Sequence, residues 1–278
     1  MRVNQIAIMK VRPCAKINLG LNVVRRRADG YHDLETVFYP VGIHDELEVT
    51  TAEKVSLCVE GTDIQCPPEK NLVMRAYRLL AEHHSLPPVS IRLNKLLPSQ
   101  AGMGGGSADA AFMIRLLNEQ YQLGLTVSQM QQYAASIGAD CAFFIESRPA
   151  YAEGIGDRLT PCEVTQLQGR WLLLVKPDVA VSTKEAYAGI TPRKPLCNCL
   201  EVLRQPIETW RQWLVNDFEE SIFPKLPVLA EVKQQMYDCG AVYAAMSGSG
   251  STIFGIFDDE PSDIMSRFTP YYNRKLKL

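Results

Sequence analysis

Gly102-Met103-Gly104-Gly105-Gly106 places four glycines within five positions, and Ser107 follows at the start of a segment with helical spacing of apolar residues. Glycines this dense let the backbone approach a ligand closely, with N–H groups turned towards it. Because a helix N-terminus also attracts anions, the stretch predicts a phosphate-binding loop. The alternation of Val89, Ile91 and Leu93 predicts a strand that leads into this loop, which is the context such a loop needs.

The residues around this stretch exclude three common nucleotide-binding classes. A Walker loop ends in Gly-Lys-Ser/Thr, whereas Gly106 is followed here by Ser107 and Ala108. The dinucleotide fingerprint needs a third small residue at a spacing that this segment does not provide. The chain also lacks the His-Arg-Asp and Asp-Phe-Gly triplets of protein kinases. The predicted phosphate loop therefore belongs to another class of protein.

The composition favours small-molecule chemistry. The 29 Lys and Arg against 31 Asp and Glu give a formal net charge of -2, which provides no basic field for nucleic acid. The short apolar stretch at residues 6–9 predicts neither a signal peptide nor a membrane span. We therefore expect a cytoplasmic protein with a small-molecule substrate and no nucleic-acid or membrane partner. The oligomeric state is left open.

The eight cysteines show no Cys-x-x-Cys spacing, which indicates reduced thiols in a chain of this length. The closest pair, Cys197 and Cys199, is separated by one residue and has no nearby His, which is a poor spacing for zinc. We therefore expect no metal site built from these side chains.

A strand predicted for residues 15–23 has an unusual polar face. Apolar residues alternate there with Lys16, Asn18, Gly20 and Asn22. The three polar side chains could bind phosphate or hydroxyl groups, because the glycine between them leaves room. From the residues alone, an ordinary solvated face is the favoured interpretation.

Asp140 and a late loop also have two interpretations each. Asp140 lies between Gly138, which is predicted to end a helix, and the apolar run 141–145, which is predicted to be a buried strand. An aspartate there either forms the local turn or acts as a catalytic group. The loop Ser247-Gly248-Ser249-Gly250-Ser251 is a hairpin connection, or a source of N–H and hydroxyl groups for a phosphate.

The chain is long enough for two domains, and its character changes beyond Pro161. We predict domains at residues 1–160 and 161–278. In the second domain, apolar patterns predict strands at 171–175, 241–246 and 252–257 and helices at about 199–213 and 228–236. Strands that alternate with helices in this way indicate an α+β fold.

Three segments, in this order, resemble the GHMP kinases, which include galactokinase, homoserine kinase and mevalonate kinase. They are the Lys-bearing strand, the stretch from Pro98 to Ala111, and Gly248-Ser249-Gly250. Finer details resemble the branch whose alcohol substrate carries a cytidine diphosphate group; these are Ala15–Leu19, Arg27–His32, Gly138–Asp140 and Asn216–Glu219. The resemblance covers nearly the whole chain.

The resemblance implies a two-domain GHMP kinase fold, with a ribosomal-protein-S5-like N-terminal domain, a ferredoxin-like C-terminal domain and an active site in the cleft between them. It also implies ATP-dependent phosphorylation of the 2-hydroxyl of a methylerythritol ester of cytidine diphosphate, a step of non-mevalonate isoprenoid synthesis. Mg²⁺ is expected to bridge the phosphate oxygens. A GHMP kinase for homoserine or mevalonate, or a non-catalytic nucleotide-binding relative, are the alternatives.

Residue roles follow from the same resemblance. Lys16 and Asp140 match a catalytic pair, the cation and carboxylate that phosphoryl transfer to an alcohol requires. Tyr31 and Tyr187 are expected to enclose the cytosine ring while His32 reads its polar edge. The residues that match the substrate site are Asn18, Tyr31, His32, Tyr187, Gly248 and Ser249. Those that match the ATP site are Asn71, Lys95, Pro98, Ser99, Gln100, Ala101, Gly102, Met103, Gly104, Gly105, Gly106, Ser107 and Ala108.

Two positions depart from the family pattern. Ala108 stands where a second serine is usual, which removes one hydroxyl that could contact phosphate. Cys141-Ala142 stands where Val-Pro is typical, and we expect this change only to adjust strand packing.

Overall fold

The computed structural model describes residues 9–64 and 66–278. Its strands are β1 (Met9–Val11), β2 (Cys14–Arg26), β3 (His32–His44), β4 (Glu46–Thr51), β5 (Ser56–Gly61), β6 (Val89–Lys95), β7 (Ala150–Gly154), β8 (Arg158–Pro161), β9 (Trp171–Lys176), β10 (Tyr243–Met246), β11 (Ile253–Phe257) and β12 (Tyr272–Lys277). Its α-helices are α1 (Leu72–His83), α2 (Gly105–Gln120), α3 (Val127–Ile137), α4 (Phe143–Glu146), α5 (Thr183–Ala188), α6 (Cys199–Leu203), α7 (Trp210–Trp213), α8 (Phe218–Ile222) and α9 (Pro227–Asp238).

The chain divides into two compact units that interleave along the sequence. Of the described residues, the first unit takes those up to Ala15 together with those of Gly42–Ser99 and Gly104–Ser147. The second takes Lys16–Val41, Gln100–Met103 and Arg148–Leu278. The chain therefore passes from the second unit to the first within the glycine-rich stretch, since Gly102 belongs to the second unit and Gly104 to the first.

The first unit contains a four-stranded sheet in the order β1-β4-β6-β5, in which only the β5–β6 pair is parallel. The predicted alternation in β6 is confirmed, because Val89, Ile91 and Leu93 are buried while Arg92 between them is exposed. Helix α2 packs against β1, β4 and α1. Most of the residues of α2 are buried, so packing of the helix fixes the position of its N-terminal turn.

The second unit contains two sheets, in the orders β2-β3-β7-β8 and β10-β11-β9-β12. Helix α9 packs on β10 and β11, and its apolar residues Leu229, Val232 and Met236 join the core of this unit. The predicted α+β class is confirmed. In the described part of the chain, no helix has the length and apolar character that crossing a membrane would need.

Three expectations about elements are wrong in detail. The polar face of β2 is buried rather than solvated, since Lys16, Asn18 and Asn22 are all at most 6% exposed. Residues 141–145 form helical turns instead of a strand, because a short apolar run fits a buried helix equally well. The helix expected over 199–213 is broken into α6, a 3-10 turn and α7 at Pro206, whose ring cannot continue an α-helix.

Candidate active site

The glycine stretch forms the entry to α2. Gln100, Gly102 and Gly104 have φ values of 51°, 72° and 71°, so left-handed residues alternate along the loop. Helix α2 begins at Gly105, two residues earlier than the sequence suggested, and Gly104 at its N-cap provides no side chain to bond the first-turn N–H groups. These donors lie at the positive end of the helix dipole, which is an environment that favours an anion.

A buried ionic cluster lies beneath the first residue of α2. The ammonium of Lys95 bonds Asp109 Oδ2 at 2.7 Å and also pairs with Asp45 Oδ2. Asp45 Oδ1 in turn accepts from the N–H groups of Leu96 and Leu97. A Cβ at Gly105 would lie 3.4 Å from Lys95 Nζ. Lys95 therefore lies beneath the loop in the protein interior, where its ammonium contacts carboxylates of the same unit.

The cluster holds two carboxylates for one ammonium, and this imbalance affects their protonation. Burial, only partly offset by Lys95, raises the pKa of Asp109 to about 7. Among the described residues, Asp109 Oδ1 has no hydrogen-bond partner. Although burial acts to lower it, the charges of Asp109 and Asp45 raise the pKa of Lys95 on balance, so the lysine stays charged.

Asp140 lies in a single 3-10 turn, Ala139–Cys141, between α3 and α4 and is half-buried. The thiol of Cys141 hydrogen-bonds the Ser107 side chain in the first turn of α2. Burial raises the pKa of Cys141 to about 11, so this thiol is neutral at ordinary pH. Cys141 therefore does more than adjust strand packing, because its thiol connects the Asp140 turn to the first turn of α2.

Asn71 is the N-cap of α1, as its position before an apolar helical stripe predicts. Its side chain accepts from Val73 N at 3.0 Å, and the residue is only 5% exposed. The neighbouring Leu72 lies 3.7 Å from where a Cβ of the exposed Gly106 would be. The start of α1 is therefore next to the glycine loop, although the Asn71 side chain itself serves the helix cap.

In the second unit, Lys16 is 3% exposed and is held on three sides. Its ammonium donates to Asn18 Oδ1 at 2.6 Å and to the carbonyl of Gly102 at 3.0 Å. It also lies 5.1 Å from the centre of the Phe38 ring, a cation–π distance. The polar face of β2 thus meets the first glycine of the loop.

The late loop, residues 247–251, also lies next to Gly102. Gly248 has a φ of 54°, and a Cβ on it would lie 3.1 Å from Gly102 O, 3.3 Å from Asn18 Oδ1 and 3.4 Å from Lys16 Nζ. Ser247 Oγ donates to Gly102 O at 3.0 Å. Three distant segments of sequence therefore converge, and only glycine fits at position 248 without displacing a neighbour.

The predicted aromatic residues of the substrate site differ in their packing and exposure. The rings of His32 and Tyr187 stack with centroids 4.8 Å apart and an interplanar angle of 16°. Phe218 packs edge-on against Tyr187. Tyr31 is 62% exposed. Burial, with a contribution from Arg26, lowers the pKa of His32, which favours a neutral ring able to stack.

The predicted residues fall into two groups, one in each unit. Asn71, Lys95, Gly104 to Ala108 and Asp140 belong to the first unit, with Pro98 and Ser99. Lys16, Asn18, Tyr31, His32, Gln100 to Met103, Tyr187, Gly248 and Ser249 belong to the second. Of the expected catalytic pair, Lys16 belongs to the second unit and Asp140 to the first.

Sequence reasoning missed four residues that shape these groups: Phe38, Asp45, Asp109 and Asn216. Asp109 had a usable signal, since it is a lone carboxylate within an apolar stretch of α2. Asn216 belonged to a recognised segment but received no role. Phe38 and Asp45 had no local signal, because their partners are distant in sequence.

Comparison with known proteins identifies two family models along the chain. The model described as the GHMP kinases N terminal domain matches residues 71–148, and that described as GHMP kinases C terminal matches residues 199–272.

Curated relatives match most of the chain. A protein of Bacteroides fragilis named 4-diphosphocytidyl-2-C-methyl-D-erythritol kinase is 52% identical over 252 residues, which cover 89% of this chain and 92% of the relative. Proteins of the same name from Parabacteroides distasonis and Chlorobium limicola are 47% and 39% identical, with coverage of 88% and 90% of this chain.

Solved structures agree with these relatives. A crystal structure of 4-(cytidine 5'-diphospho)-2C-methyl-D-erythritol kinase is 30% identical, with a TM-score of 0.78 and coverage of 96% of this chain and 98% of that one. A homoserine kinase from Cytophaga hutchinsonii has a TM-score of 0.70 at 17% identity, over 96% of this chain and 93% of that one. The second likeness shows a shared fold alone.

Proposed function

The chain belongs to the GHMP kinases and, within them, to the 4-diphosphocytidyl-2-C-methyl-D-erythritol kinase family, and on that premise we propose the reaction that it catalyses. It transfers the γ-phosphate of ATP to the 2-hydroxyl of 4-diphosphocytidyl-2-C-methyl-D-erythritol, a step of non-mevalonate isoprenoid synthesis. The observation that carries this proposal is the 52% identity to a relative of that name over 89% of the chain. The convergence of Lys16, Gly102 and Gly248 supports it from the geometry.

Asp140 is the residue that we propose to accept the proton of the substrate hydroxyl, or to orient that hydroxyl for attack. Phosphoryl transfer requires the protein mainly to position the reactants and to stabilise charge. A carboxylate near the nucleophile contributes to both requirements. Lys16 provides the matching cation. Its ammonium is held by Asn18 and by the Gly102 carbonyl, so the charge has a fixed position before substrate arrives.

For ATP, the proposed phosphate site is the loop Pro98 to Ala108 with the uncapped N-terminus of α2. We assign Asn71 and Lys95 an indirect role in this site. Asn71 caps α1 beside Gly106, and Lys95 holds the carboxylates beneath Gly105. Both side chains would thereby shape the loop rather than contact the nucleotide.

Mg²⁺ is part of the proposal. In kinase sites this ion is held by one or two carboxylates together with substrate phosphates, so it does not require a cage of protein ligands. Asp140 precedes Cys141, whose thiol contacts the Ser107 side chain, and the carboxylate and the hydroxyl have the oxygen chemistry that this ion prefers. When bound, the ion would neutralise charge on the phosphate oxygens.

For the cytidine group, we propose that Tyr187, His32 and Tyr31 form the recognition site. A flat ring pair already exists in the stack of His32 on Tyr187, and Tyr31 is an exposed ring one residue away. Asn18, Gly248 and Ser249 would contact the remainder of the substrate, because Asn18 and Gly248 adjoin the Lys16 ammonium.

We also propose domains at 1–160 and 161–278 and a cytoplasmic location. Strand pairing is consistent with this division, because each described sheet takes its strands either from β1 to β8 or from β9 to β12, whereas the compact units interleave along the chain. Each family model also lies within one of the two ranges. The eight free thiols are consistent with a reducing compartment.

The test is product analysis with ATP and three acceptors at matched concentrations. We expect phosphorylation of 4-diphosphocytidyl-2-C-methyl-D-erythritol, with the new phosphate on its 2-hydroxyl in ³¹P and two-dimensional NMR spectra. Equal or faster phosphorylation of homoserine or mevalonate would assign the chain to another GHMP activity. ATP binding without transfer to any of the three would indicate a non-catalytic relative.

A further inference from the structure

The side chain of Asn216 bonds the main chain of the late loop. The residue is 3% exposed, and its Nδ2 donates to Met246 O at 2.7 Å and to Gly248 O at 2.8 Å. Its Oδ1 accepts from Phe218 N at 3.0 Å. Both amide protons and the carbonyl oxygen thus have main-chain partners, and a buried amide used in this way fixes the backbone that it bridges.

The residues around Asn216 bond β2. Asp217 N donates to Leu21 O and Leu21 N donates to Val215 O, both at 2.8 Å. The carboxylate of Asp217 accepts from Val23 N at 2.7 Å. The segment is therefore attached to the strand that carries Lys16 and Asn18.

A second side chain of this segment reinforces the connection to the late loop. Glu219 Oε1 accepts from Met246 N at 2.8 Å, and its other oxygen pairs with Lys233. The segment Asn216–Glu219 therefore joins β2 on one side to the end of β10 on the other. This arrangement sets the spacing between Lys16 on β2 and Gly248 beyond β10.

That spacing is tight. A Cβ at Gly248 would lie 3.3 Å from Asn18 Oδ1 and 3.4 Å from Lys16 Nζ, so the loop passes close to both side chains and leaves no room for a side chain of its own there. A shift of the Gly248 peptide would therefore change the surroundings of the ammonium.

We propose that Asn216 is a positioning residue for phosphoryl transfer, which holds the Gly248 peptide against Lys16 and Asn18. The inference rests on the proposed function, because that function gives Lys16 and Gly248 their roles. Asn216 acts through the Gly248 peptide. Its loss should therefore reduce turnover and leave the phosphate loop at α2 able to bind ATP.

The chain offers a matched control. Asn273 Nδ2 also bridges two main-chain carbonyls, those of Phe268 and Tyr271, each at 3.1 Å. Replacing this residue by Asp makes the same chemical change in β12, which pairs with β9 rather than with β2 or β10. The experiment compares Asn216→Asp, Asn216→Ala and Asn273→Asp with the wild-type chain.

For each variant, the measurements are the thermal midpoint, the Kd for a non-hydrolysable ATP analogue, and steady-state kcat and KM with the cytidine substrate. We expect both Asn216 variants to fold and to bind the analogue as the wild type does, while kcat/KM falls about tenfold to a hundredfold, as small misplacements near a reacting group do. Most of this loss should be in kcat. Asn273→Asp should retain wild-type kinetics.

The outcomes separate the two proposals. A wild-type chain that fails to phosphorylate the cytidine substrate overturns the proposed function, and the role of Asn216 with it. An active wild type with Asn216 variants of unchanged kcat/KM overturns the positioning role alone. Failure of both Asn216 variants to fold, with Asn273→Asp folded, also overturns it, because Asn216 would then determine the fold rather than the geometry of one loop.

Discussion

At the scale of single residues, Asp140 and Tyr187 have side chains whose removal should affect only one function each. Asp140 lies in a short half-buried turn, where a carboxamide can replace a carboxylate without a change of shape. Tyr187 lies in a six-residue helix, where it contacts the rings of His32 and Phe218. The two residues therefore allow the chemical step and the recognition of the base to be tested separately.

Asp140→Asn should lower kcat by about 10²- to 10⁴-fold, the range of a positioned general base, because asparagine cannot accept the hydroxyl proton. Affinities for the ATP analogue and the cytidine substrate should stay unchanged, and calorimetry measures both. The exposed Asp259→Asn serves as the control for loss of one negative charge. A fully active Asp140→Asn enzyme would show that transfer proceeds without this base.

Tyr187→Ala should raise KM for the cytidine substrate by an amount equivalent to ~1–3 kcal/mol, the loss of one base–aromatic stack. Tyr31→Ala is expected to act in the same direction. Because alanine at 187 also removes the stack on His32, Tyr187→Phe is the matched variant and should behave as wild type. If both alanine variants bind cytidine diphosphate normally, the proposed recognition site is wrong.

At the scale of elements, the loop and the first turn of α2 form the proposed phosphate site, and the glycines in it differ in the side chains that they tolerate. Gly104 has a φ of 71°, and Gly105 lies over the Lys95 cluster. Gly106 is exposed, has ordinary helical φ, and would place a Cβ no closer than 3.7 Å to Leu72. Position 106 therefore allows the anion site to be blocked with least disturbance of packing.

Gly106→Val should keep the fold and weaken binding of the ATP analogue at least about tenfold, because a branched side chain hinders the approach of phosphate to the backbone. Affinity for the cytidine substrate should not change. Ser128→Val is the control, since Ser128 is the exposed second residue of α3 as Gly106 is of α2. Equal ATP affinity in folded Gly106→Val would remove the phosphate role from this turn.

At the scale of the whole molecule, the buried cluster Asp45, Lys95 and Asp109 links stability to pH. Burial raises the pKa of Asp109 in the folded state to about 7, above its ordinary value of 3.8. The folded chain therefore holds a proton that the unfolded chain releases. Between about pH 4 and pH 7, this group makes the free energy of unfolding fall as pH rises, and above that range its effect is constant.

Asp109→Asn removes this dependence. Relative to wild type, the variant should gain stability between pH 5 and pH 7 by up to about 1.4 kcal/mol per pH unit, with no further gain above pH 8. Urea titrations at several pH values measure the difference. Parallel pH profiles for the two proteins would show that Asp109 does not hold this proton.

Much of the fold and part of the site followed from local sequence patterns. Alternation identified β2 and β6, Gly138 identified the end of α3, and the position of Asn71 before an apolar stripe identified the start of α1. Glycine density identified the loop before α2. These features depend on periods of two or 3.6 residues and on backbone donors within a few positions, so the sequence specifies them without reference to distant parts of the chain.

What the tertiary structure alone decided is which side chains face one another. The sequence indicated Lys95 as a nucleotide neighbour, whereas its partners Asp45 and Asp109 are 50 and 14 residues away and are recognisable only once β6, the start of β4 and α2 are packed. The stack of His32 on Tyr187 and the bond from Asn216 to Gly248 are likewise pairings between distant segments. Such contacts depend on how elements pack, which local periodicity does not encode, and so the sequence determined the elements and the family while packing determined the geometry within each unit.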